Sequence, residues 1–254
     1  MASTSQNQLH LILDAKHHDA FAYLGLHKES AEFVFRAFLP YAEKVSLKVK
    51  TKWVDCERVN AAGLYEWRGK TAPASPCMIQ IESNGHVQET VDTYSFNPIL
   101  TDNELYLFGE GSLNQAYNTF GARIVEHQGV TGVRFAVWAP NAERVSVVGN
   151  FNQWDGRVNP MRVRGSTGVW ELFIPNLAAE TLYKFEIRNR QSHAILTKTD
   201  PFAREFEARP GTAAKISANS NYKWQDSAWL NHRAKSDWLH APFNCYEVHV
   251  GSWR

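Results

Sequence analysis

The sequence has little that would place it in a membrane or outside a cell. No apolar run approaches the ~18 residues that a membrane-spanning helix needs. A short apolar patch from Leu9 to Leu13 has no basic region before it and no cleavage site after it, so it does not predict a signal peptide. We therefore expect a cytoplasmic protein that does not contact a membrane.

Net charge and cysteine are also scarce. The formal net charge is only +1 and no basic stripe is present, which argues against a nucleic-acid partner. An odd number of scattered cysteines does not predict a disulfide framework or a zinc site, and it fits reduced thiols in the cytosol. These cysteines are Cys56, Cys77 and Cys245.

The usual catalytic and metal-binding motifs are missing too. The chain contains no Gly-rich phosphate loop, no G-x-S-x-G elbow and no H-E-x-x-H motif. Glu205 and Glu207 lie two positions apart, and a solvated strand end explains them. No carboxylate or cysteine completes a metal site with His17, His18 and His27, so we expect them at the surface. The sequence therefore predicts no catalytic residue, no bound metal and no cofactor.

Aromatic residues, in contrast, are plentiful, with nine Trp, nine Tyr and fourteen Phe. Large β-sandwich cores explain most of them. Sugar binding is the alternative, because the C–H faces of a glucose ring are apolar and pack on an indole while the hydroxyls form hydrogen bonds around the rim.

The clearest pattern lies in residues 132–156, GVRFAVWAPNAERVSVVGNFNQWDG. Apolar residues alternate from Val133 to Val137, which is typical of a half-buried strand, and Pro140 then breaks the run. Trp138 falls on the face opposite the apolar residues, and Trp154 falls beside a turn. A large indole off the core face indicates a ligand or another domain that covers it.

A weak internal repeat organises the chain. EFVFRAFLPYAEKVSLKVK (32–50) resembles GVRFAVWAPNAERVSVVGN (132–150), with Glu43 and Glu143 a hundred positions apart. Self-similarity at a fixed offset indicates one supersecondary unit used twice. Short alternating strands between Gly, Pro, Asn and Asp turns predict an immunoglobulin-like sandwich. We predict an all-β fold of two tandem immunoglobulin-like β-sandwiches with short helical connectors.

The predicted regions are a first sandwich over residues 1–108, a second over 109–222, and a final segment over 223–254. Asp102 is the predicted N-cap of a connecting helix. In the final segment, a Trp-rich linker with a partial helix precedes a last strand with alternating Tyr246, Val248 and Val250.

The second region resembles carbohydrate-binding module family 48, on FAVWAPNAERVSVVGNFNQWDG, GVWELFIP, LYKFEI and KTDPFA. Over nearly its full length, from HDAFAYLGLH to YEVHVGSWR, the chain resembles the amino-terminal part of bacterial 1,4-α-glucan (glycogen) branching enzymes. YEVHVGSWR resembles the opening strand of that family's catalytic barrel. The resemblance implies a protein of glycogen biosynthesis, with α-1,4-glucan or glycogen as the ligand.

The family's reaction cleaves an α-1,4-glucan and re-attaches the fragment through an α-1,6 bond, with two carboxyl groups that act as in retaining glycoside hydrolysis. The resemblance places those groups on a (β/α)₈ barrel of glycoside hydrolase family 13, of which this chain contains only the start. We therefore expect the chain to be inactive alone, monomeric, and to have the missing barrel as a partner. Whether the last residue is a natural end stays open.

The resemblance also implies site residues. A Trp of the FNxW motif stacks on glucose and the Lys of YKF assists it, which by motif are Trp154 and Lys184. Packing of Trp154 and solvation of Lys184 are the alternatives, and for Trp138 we favour interdomain packing. Two departures from the family pattern, the absence of an aromatic in HAILTKTDP and the presence of Ala214, predict weak binding.

Two alternatives to the branching-enzyme assignment remain. The chain is a stand-alone, non-catalytic glucan-binding module, or it is a scaffold with no sugar site.

Overall fold

The structure, a computed structural model, describes residues 2–253; Met1 and Arg254, which begin the first and end the last predicted region, lie outside the described residues. A boundary between Ala218 and Asn219 divides the chain into two compact units. Both sandwiches belong to the first unit.

The first sandwich has two antiparallel four-stranded sheets. Its strands are β1 (Gly25–Glu29), β2 (Glu32–Phe38), β3 (Lys44–Val49), β4 (Lys52–Asp55), β5 (Glu57–Asn60), β6 (Leu64–Gly69), β7 (Met78–Ser83) and β8 (His86–Val91). Sheet A has the order β1-β2-β6-β5 and sheet B the order β4-β3-β7-β8. The alternate residues Phe35, Leu47, Tyr65 and Ile79 meet in the core between the two sheets.

The second sandwich repeats this plan. Its strands are β9 (Gly121–His127), β10 (Val130–Trp138), β11 (Ala142–Gly149), β12 (Arg162–Val163), β13 (Val169–Pro175), β14 (Leu182–Asn189), β15 (Ile195–Lys198), β16 (Glu205–Phe206) and β17 (Ala214–Lys215). Sheet C has the order β12-β13-β10-β9; sheet D has the order β11-β14-β17-β16, with β15 also paired to β14. The predicted all-β fold of two tandem sandwiches is confirmed.

The polar ends of large core side chains find partners, as buried Tyr and Trp require. The Trp170 indole donates to the Ala139 carbonyl at 3.1 Å, and the Tyr183 hydroxyl donates to Asp200 Oδ2 at 2.5 Å. Burial raises the pKa of the Asp200 carboxyl, although that hydrogen bond acts in the opposite direction.

The helices are α1 (Ala2–Leu13), α2 (Asp102–Gly109), α3 (Ala116–Thr119) and α4 (Ser227–Lys235). Short 3₁₀ turns occur at Ala20–Ala22, Thr93–Ser95, Asn150–Asn152 and Val250–Ser252. The prediction that Asp102 caps α2 is wrong by one residue. Thr101 is the N-cap, because its hydroxyl accepts from the Glu104 N–H at 3.2 Å while Glu104 accepts from the Thr101 N–H at 2.8 Å, which is a capping box.

The connector between the sandwiches covers the outer face of sheet C. Leu105 and Phe120 pack there against Ala136 and Val169. Ala136 shares a strand face with Trp138, so that face is covered over much of its length although it lies opposite the sandwich core. The charged side chains of Arg134 and Glu171 are buried on it as well.

His17 was predicted at the surface, and that prediction is wrong. Its ring is buried, stacks on Tyr23 and is hydrogen-bonded to the Gln8 side chain. Burial lowers the pKa of His17. The residue lies behind α1, whose Ile12 is also buried, so docking of the helix removes the imidazole from water.

The second unit contains α4 and the 3₁₀ turn at Val250–Ser252. The predicted strand through Tyr246, Val248 and Val250 does not form within residues 219–253. A strand needs a hydrogen-bonding neighbour, and those residues supply none. Among residues 2–253, no helix is both long enough and apolar enough to cross a membrane.

Candidate functional site

Trp154 lies in a turn that follows the end of β11. After the 3₁₀ turn at Asn150–Asn152, Gln153 and Trp154 adopt left-handed backbone conformations with φ of 54° and 60°. Such values are uncommon for residues other than glycine and point to a loop held by its surroundings. The Trp154 backbone N–H donates to the Gly149 carbonyl at 2.9 Å, and its indole Nε1 donates to Asn150 Oδ1 at 2.8 Å. The indole is thus fixed in orientation while the residue keeps 38% of its surface exposed.

The buried side chain of Asn152 stabilises this turn through hydrogen bonds. Its buried amide nitrogen donates to the Val147 carbonyl and to Asn159 Oδ1, both at 2.8 Å. Its Oδ1 accepts from the Gly149 N–H at 2.9 Å. One buried side chain therefore ties the strand end, the turn and the returning chain together.

The loop that carries Trp154 lies on the outer face of sheet D. The Gly156 carbonyl accepts from the Ser146 hydroxyl at 2.6 Å and from the buried Arg144 guanidinium at 2.5 Å. Arg144 also pairs with Glu186 at 2.5 Å. A Cβ on Gly156 would lie 1.9 Å from Glu186 Oε1, so glycine permits the close approach.

Asp155 gives the loop a second support. Its carboxylate accepts from Arg157 Nε at 2.9 Å and Nη2 at 2.7 Å. Burial acts to raise the pKa of Asp155, but the Arg157 hydrogen bonds and charge outweigh it, and the pKa is lowered. The Tyr41 hydroxyl of the first sandwich also donates to Asp155 Oδ2 at 3.2 Å.

Lys184 lies on β14, between the core residues Tyr183 and Phe185, and therefore on the outer face of sheet D. In the strand register it stands opposite Val148, one residue before the Gly149 that accepts from Trp154. Its ammonium donates to Thr212 Oγ1 at 2.6 Å. The fold thus brings both predicted sugar-contacting residues to one end of one sheet face.

Two residues at this site were missed by the sequence reasoning. Asn150, which holds the Trp154 indole, lies inside the same motif and could have been inferred from its spacing. Thr212, which accepts from Lys184, lies in a turn far along the chain, and nothing in the sequence pairs it with that lysine.

The two departures from the family pattern have different structural settings. β15, where an aromatic was missing, presents exposed Ile195 and Leu196. Ala214 is fully buried in the core of the second sandwich, so its side chain is not available to a ligand.

Trp138 lies at the end of β10 and is 52% exposed. Its indole donates to the Thr167 carbonyl at 3.3 Å and meets Phe108 of α2 edge-on, with ring centroids 5.9 Å apart. It is not part of the Trp154 turn.

The carboxylates considered as catalytic candidates have structural partners. Glu205 pairs with Lys215 at 3.3 Å, and Glu207 Oε1 accepts from the Ala213 N–H at 2.5 Å. Among the described residues, no group of three or more His, Cys, Asp and Glu side chains is placed to hold a metal ion.

A separate cavity of about 240 Å³ opens between the two sandwiches. Asp92, Tyr94, Phe151 and Asn176 are among the residues that line it. Phe151 belongs to the 3₁₀ turn before Trp154, so this cavity lies beneath the turn and is not the surface that presents the indole.

Comparison with known proteins identifies both sandwiches. Residues 5–94 match the N-terminal domain of alpha-1,4-glucan branching enzyme GlgB, and residues 119–203 match carbohydrate-binding module 48, described as the isoamylase N-terminal domain. The 1,4-alpha-glucan branching enzyme GlgB of Methylobacillus flagellatus is 59% identical over 100% of this chain and 35% of the relative. The corresponding enzyme of Nitrosospira multiformis is 48% identical over 97% of this chain and 34% of the relative. The chain therefore spans about a third of the length of the curated relatives it matches.

Proposed function

The chain belongs to the 1,4-α-glucan branching enzyme family as an amino-terminal region of it, and we propose that its second sandwich binds α-1,4-glucan or glycogen through Trp154 and Lys184. The observation that carries the proposal is the geometry of Trp154, whose indole is fixed by Asn150 yet exposed on the outer face of sheet D. A glucose ring stacks on such an indole through its C–H face.

Lys184 and Thr212 supply the polar part of the proposed site. Their hydrogen bond at 2.6 Å leaves the lysine further N–H groups that can donate to sugar hydroxyls. Because β15 offers Ile195 and Leu196 instead of an aromatic ring, each site holds glucan weakly. Retention on a polymer then depends on many contacts acting together.

We further propose that this region positions glucan for a catalytic barrel in the longer protein, which cleaves α-1,4-glucan and re-attaches the fragment by an α-1,6 bond. Trp138 is the proposed contact for that barrel, since it is large, apolar and half-exposed beside Phe108. The protein is proposed to be cytoplasmic and monomeric, and the described chain to have no branching activity alone.

A scaffold without a sugar site is the second candidate, favoured by the absence of an aromatic on β15.

Co-sedimentation with glycogen distinguishes glucan binding from a scaffold function. We expect the wild-type chain to pellet with glycogen, Trp154→Ala to stay in the supernatant and Lys184→Ala to give an intermediate result. Trp224→Ala, which removes an indole that is 76% exposed in the second unit, is the matched control and should pellet as the wild type does. If the wild-type chain also stays in the supernatant while folded by circular dichroism, the scaffold is the better assignment.

A further inference from the structure

The outer face of sheet B in the first sandwich is partly exposed to solvent. Its central side chains, on β4, β3 and β7, are those of Trp53, Asp55, Lys44, Ser46, Lys48, Gln80 and Glu82. Lys44 and Asp55 are exposed on this face, whereas the helical connector packs on the outer face of sheet C. A tryptophan on an exposed sheet face is a candidate contact for a ligand.

The internal repeat relates this face to the one that carries the Trp154 site. Ser46 stands opposite Gln80 in sheet B, and Ser146 stands opposite Glu186 in sheet D. The two serines are a hundred positions apart in equivalent strands. The β3–β7 pair of sheet B therefore corresponds to the β11–β14 pair of sheet D at this position.

A tryptophan follows the equivalent strand in both sandwiches. Trp53 comes shortly after β3 and Trp154 shortly after β11. Trp53 pairs with Lys48 across β3 and β4, and the Lys48 ammonium lies over its ring, 5.5 Å from the ring centroid. In each sandwich an indole thus lies near the end of the equivalent strand, on the outer face. The nearby lysine comes from that strand, β3, in the first sandwich and from the neighbouring strand β14 in the second.

The connections after these strands differ, and the difference leaves the outer face of sheet B less covered than that of sheet D. In the second sandwich the long loop beyond Trp154 lies over Ser146, whose hydroxyl donates to the Gly156 carbonyl. In the first sandwich a tight hairpin at Lys50 and Thr51 joins β3 directly to β4. The polar row is therefore less covered in the first sandwich, where Lys44 and Asp55 are exposed although Ser46 is buried.

This polar row has the hydrogen-bonding groups that a sugar ligand needs. The Ser46 hydroxyl donates to Asp55 Oδ1 at 2.9 Å, and the Gln80 amide faces Glu89 at 3.4 Å. A shallow depression of about 40 Å³ lies beside them, and Lys44 and Val87 also line it. Amide and carboxylate groups on the same sheet face as a partly exposed indole suit a ligand with apolar ring faces and hydroxyls at its rim.

The positive and negative charges on this face nearly cancel. Lys44 forms an ion pair with Asp55 at 2.8 Å, and Lys48 lies over Trp53, while Glu82 and Glu89 carry the remaining negative charge. A polyanion would meet these carboxylates and a polycation would meet the lysines, so neither is favoured. The matching ligand is a neutral polyhydroxyl chain.

We propose that the outer face of sheet B is a second glucan-binding surface, with Trp53 as its stacking residue and an α-glucan chain as its ligand. The inference rests on the proposed function, because it extends the chemistry of the Trp154 surface to the equivalent surface of the first sandwich. Two weak surfaces on one chain hold a polymer far more tightly than either alone, since the second contact is intramolecular.

Nuclear magnetic resonance of the indole groups tests the two surfaces separately. The chain is labelled with ¹⁵N at its nine tryptophan indoles, the signals are assigned by single substitutions, and maltoheptaose is added. We expect the Trp53 and Trp154 signals both to shift, and the Trp53 signal to shift still in the Trp154→Ala chain. If Trp154 alone shifts, the second surface is wrong and the proposed function stands. If neither shifts, both proposals are wrong.

Glycogen retention gives a second readout. Trp53→Val removes the ring but keeps a β-branched residue suited to a strand. We expect its retention on glycogen to fall about tenfold or more, because avidity from the second surface is lost. Trp224→Val is the matched control, and circular dichroism establishes that the variants are folded. A folded Trp53→Val chain that binds glycogen as the wild type does would overturn the proposal.

Discussion

Tyr41 in the first sandwich donates a hydrogen bond at 3.2 Å to Asp155, the residue that directly follows Trp154. The Tyr94 hydroxyl, also from the first sandwich, donates to the Val158 carbonyl at 3.1 Å in the same loop. The loop that presents the stacking indole is thus supported by both sandwiches. The first sandwich therefore contributes to the shape of the Trp154 site.

Substitution of Asp155 tests this support. Asp155→Ala removes the acceptor for Arg157 and Tyr41, so the loop loses its charge-assisted hydrogen bonds. We expect the Kd for maltoheptaose at the Trp154 site to rise about three- to tenfold, because such bonds contribute about 1.5–3 kcal/mol each and only part of that is lost to binding. Tyr41→Phe removes one half-exposed hydrogen bond and should change the Kd less than about twofold. Equal Kd values for Asp155→Ala and the wild type would show that the loop keeps its shape without this carboxylate.

Loss of the buried Asn152 amide should destabilise the second sandwich. Asn152→Ala leaves the Gly149 N–H and the Val147 carbonyl without their partner. Unsatisfied buried groups cost about 1–3 kcal/mol each, so two of them predict a loss of about 2–6 kcal/mol in the free energy of unfolding. Urea denaturation followed by circular dichroism measures it. Asn103→Ala, at an exposed position of α2, is the control and should change stability by less than about 0.5 kcal/mol.

The buried Asp92 carboxyl should make the free energy of unfolding depend on pH. Burial raises the pKa of its carboxyl from 3.8 to about 7, despite a hydrogen bond from Ser95. The folded chain therefore keeps a proton that the unfolded chain releases. The contribution of Asp92 to stability is complete below a pH of about 4 and is lost as the pH rises through about 7.

Asp92→Asn removes this titration while it keeps the shape of the side chain. As the pH rises from about 5 to about 8, the wild type should lose stability because its Asp92 must ionise in a buried place, while the variant does not. The free energy of unfolding of the variant relative to that of the wild type should therefore increase by about 2–3 kcal/mol over this range. Thermal unfolding at several pH values measures the gain. Asp102→Asn, whose side chain is 99% exposed, is the control and should show no such trend. A stability difference between Asp92→Asn and the wild type that stays constant with pH would contradict the assignment.

The dependence of glycogen retention on salt concentration distinguishes glucan binding from electrostatic association. Glucan is uncharged, so screening of Lys184 should leave retention on glycogen nearly unchanged between about 0.05 and about 0.5 M salt. Co-sedimentation over that range measures it. A steep fall with salt would indicate that the chain binds an anionic component instead.

Alternating apolar residues, turn residues and the internal repeat allowed the two sandwiches to be predicted. The resemblance to family 48 modules, and not a local pattern, pointed to Trp154 and Lys184. What it did not predict depends on distant residues. His17 is buried by the packing of α1, although its sequence neighbours are polar. Thr212 meets Lys184 only because the chain returns to the same face of sheet D. The strand expected near Tyr246 needs a partner strand, which residues 219–253 do not contain.

The affinity of the Trp154 surface for maltoheptaose tests the central claim most directly. It is measured in a Trp53→Val background, so that only the second sandwich is observed, and Trp154 is compared with Trp154→Tyr and Trp154→Ala. We predict that Tyr retains most of the affinity and that Ala raises the Kd about tenfold or more, as loss of a stacked ring does. Equal Kd values for folded Trp154 and Trp154→Ala chains would contradict glucan stacking at this site.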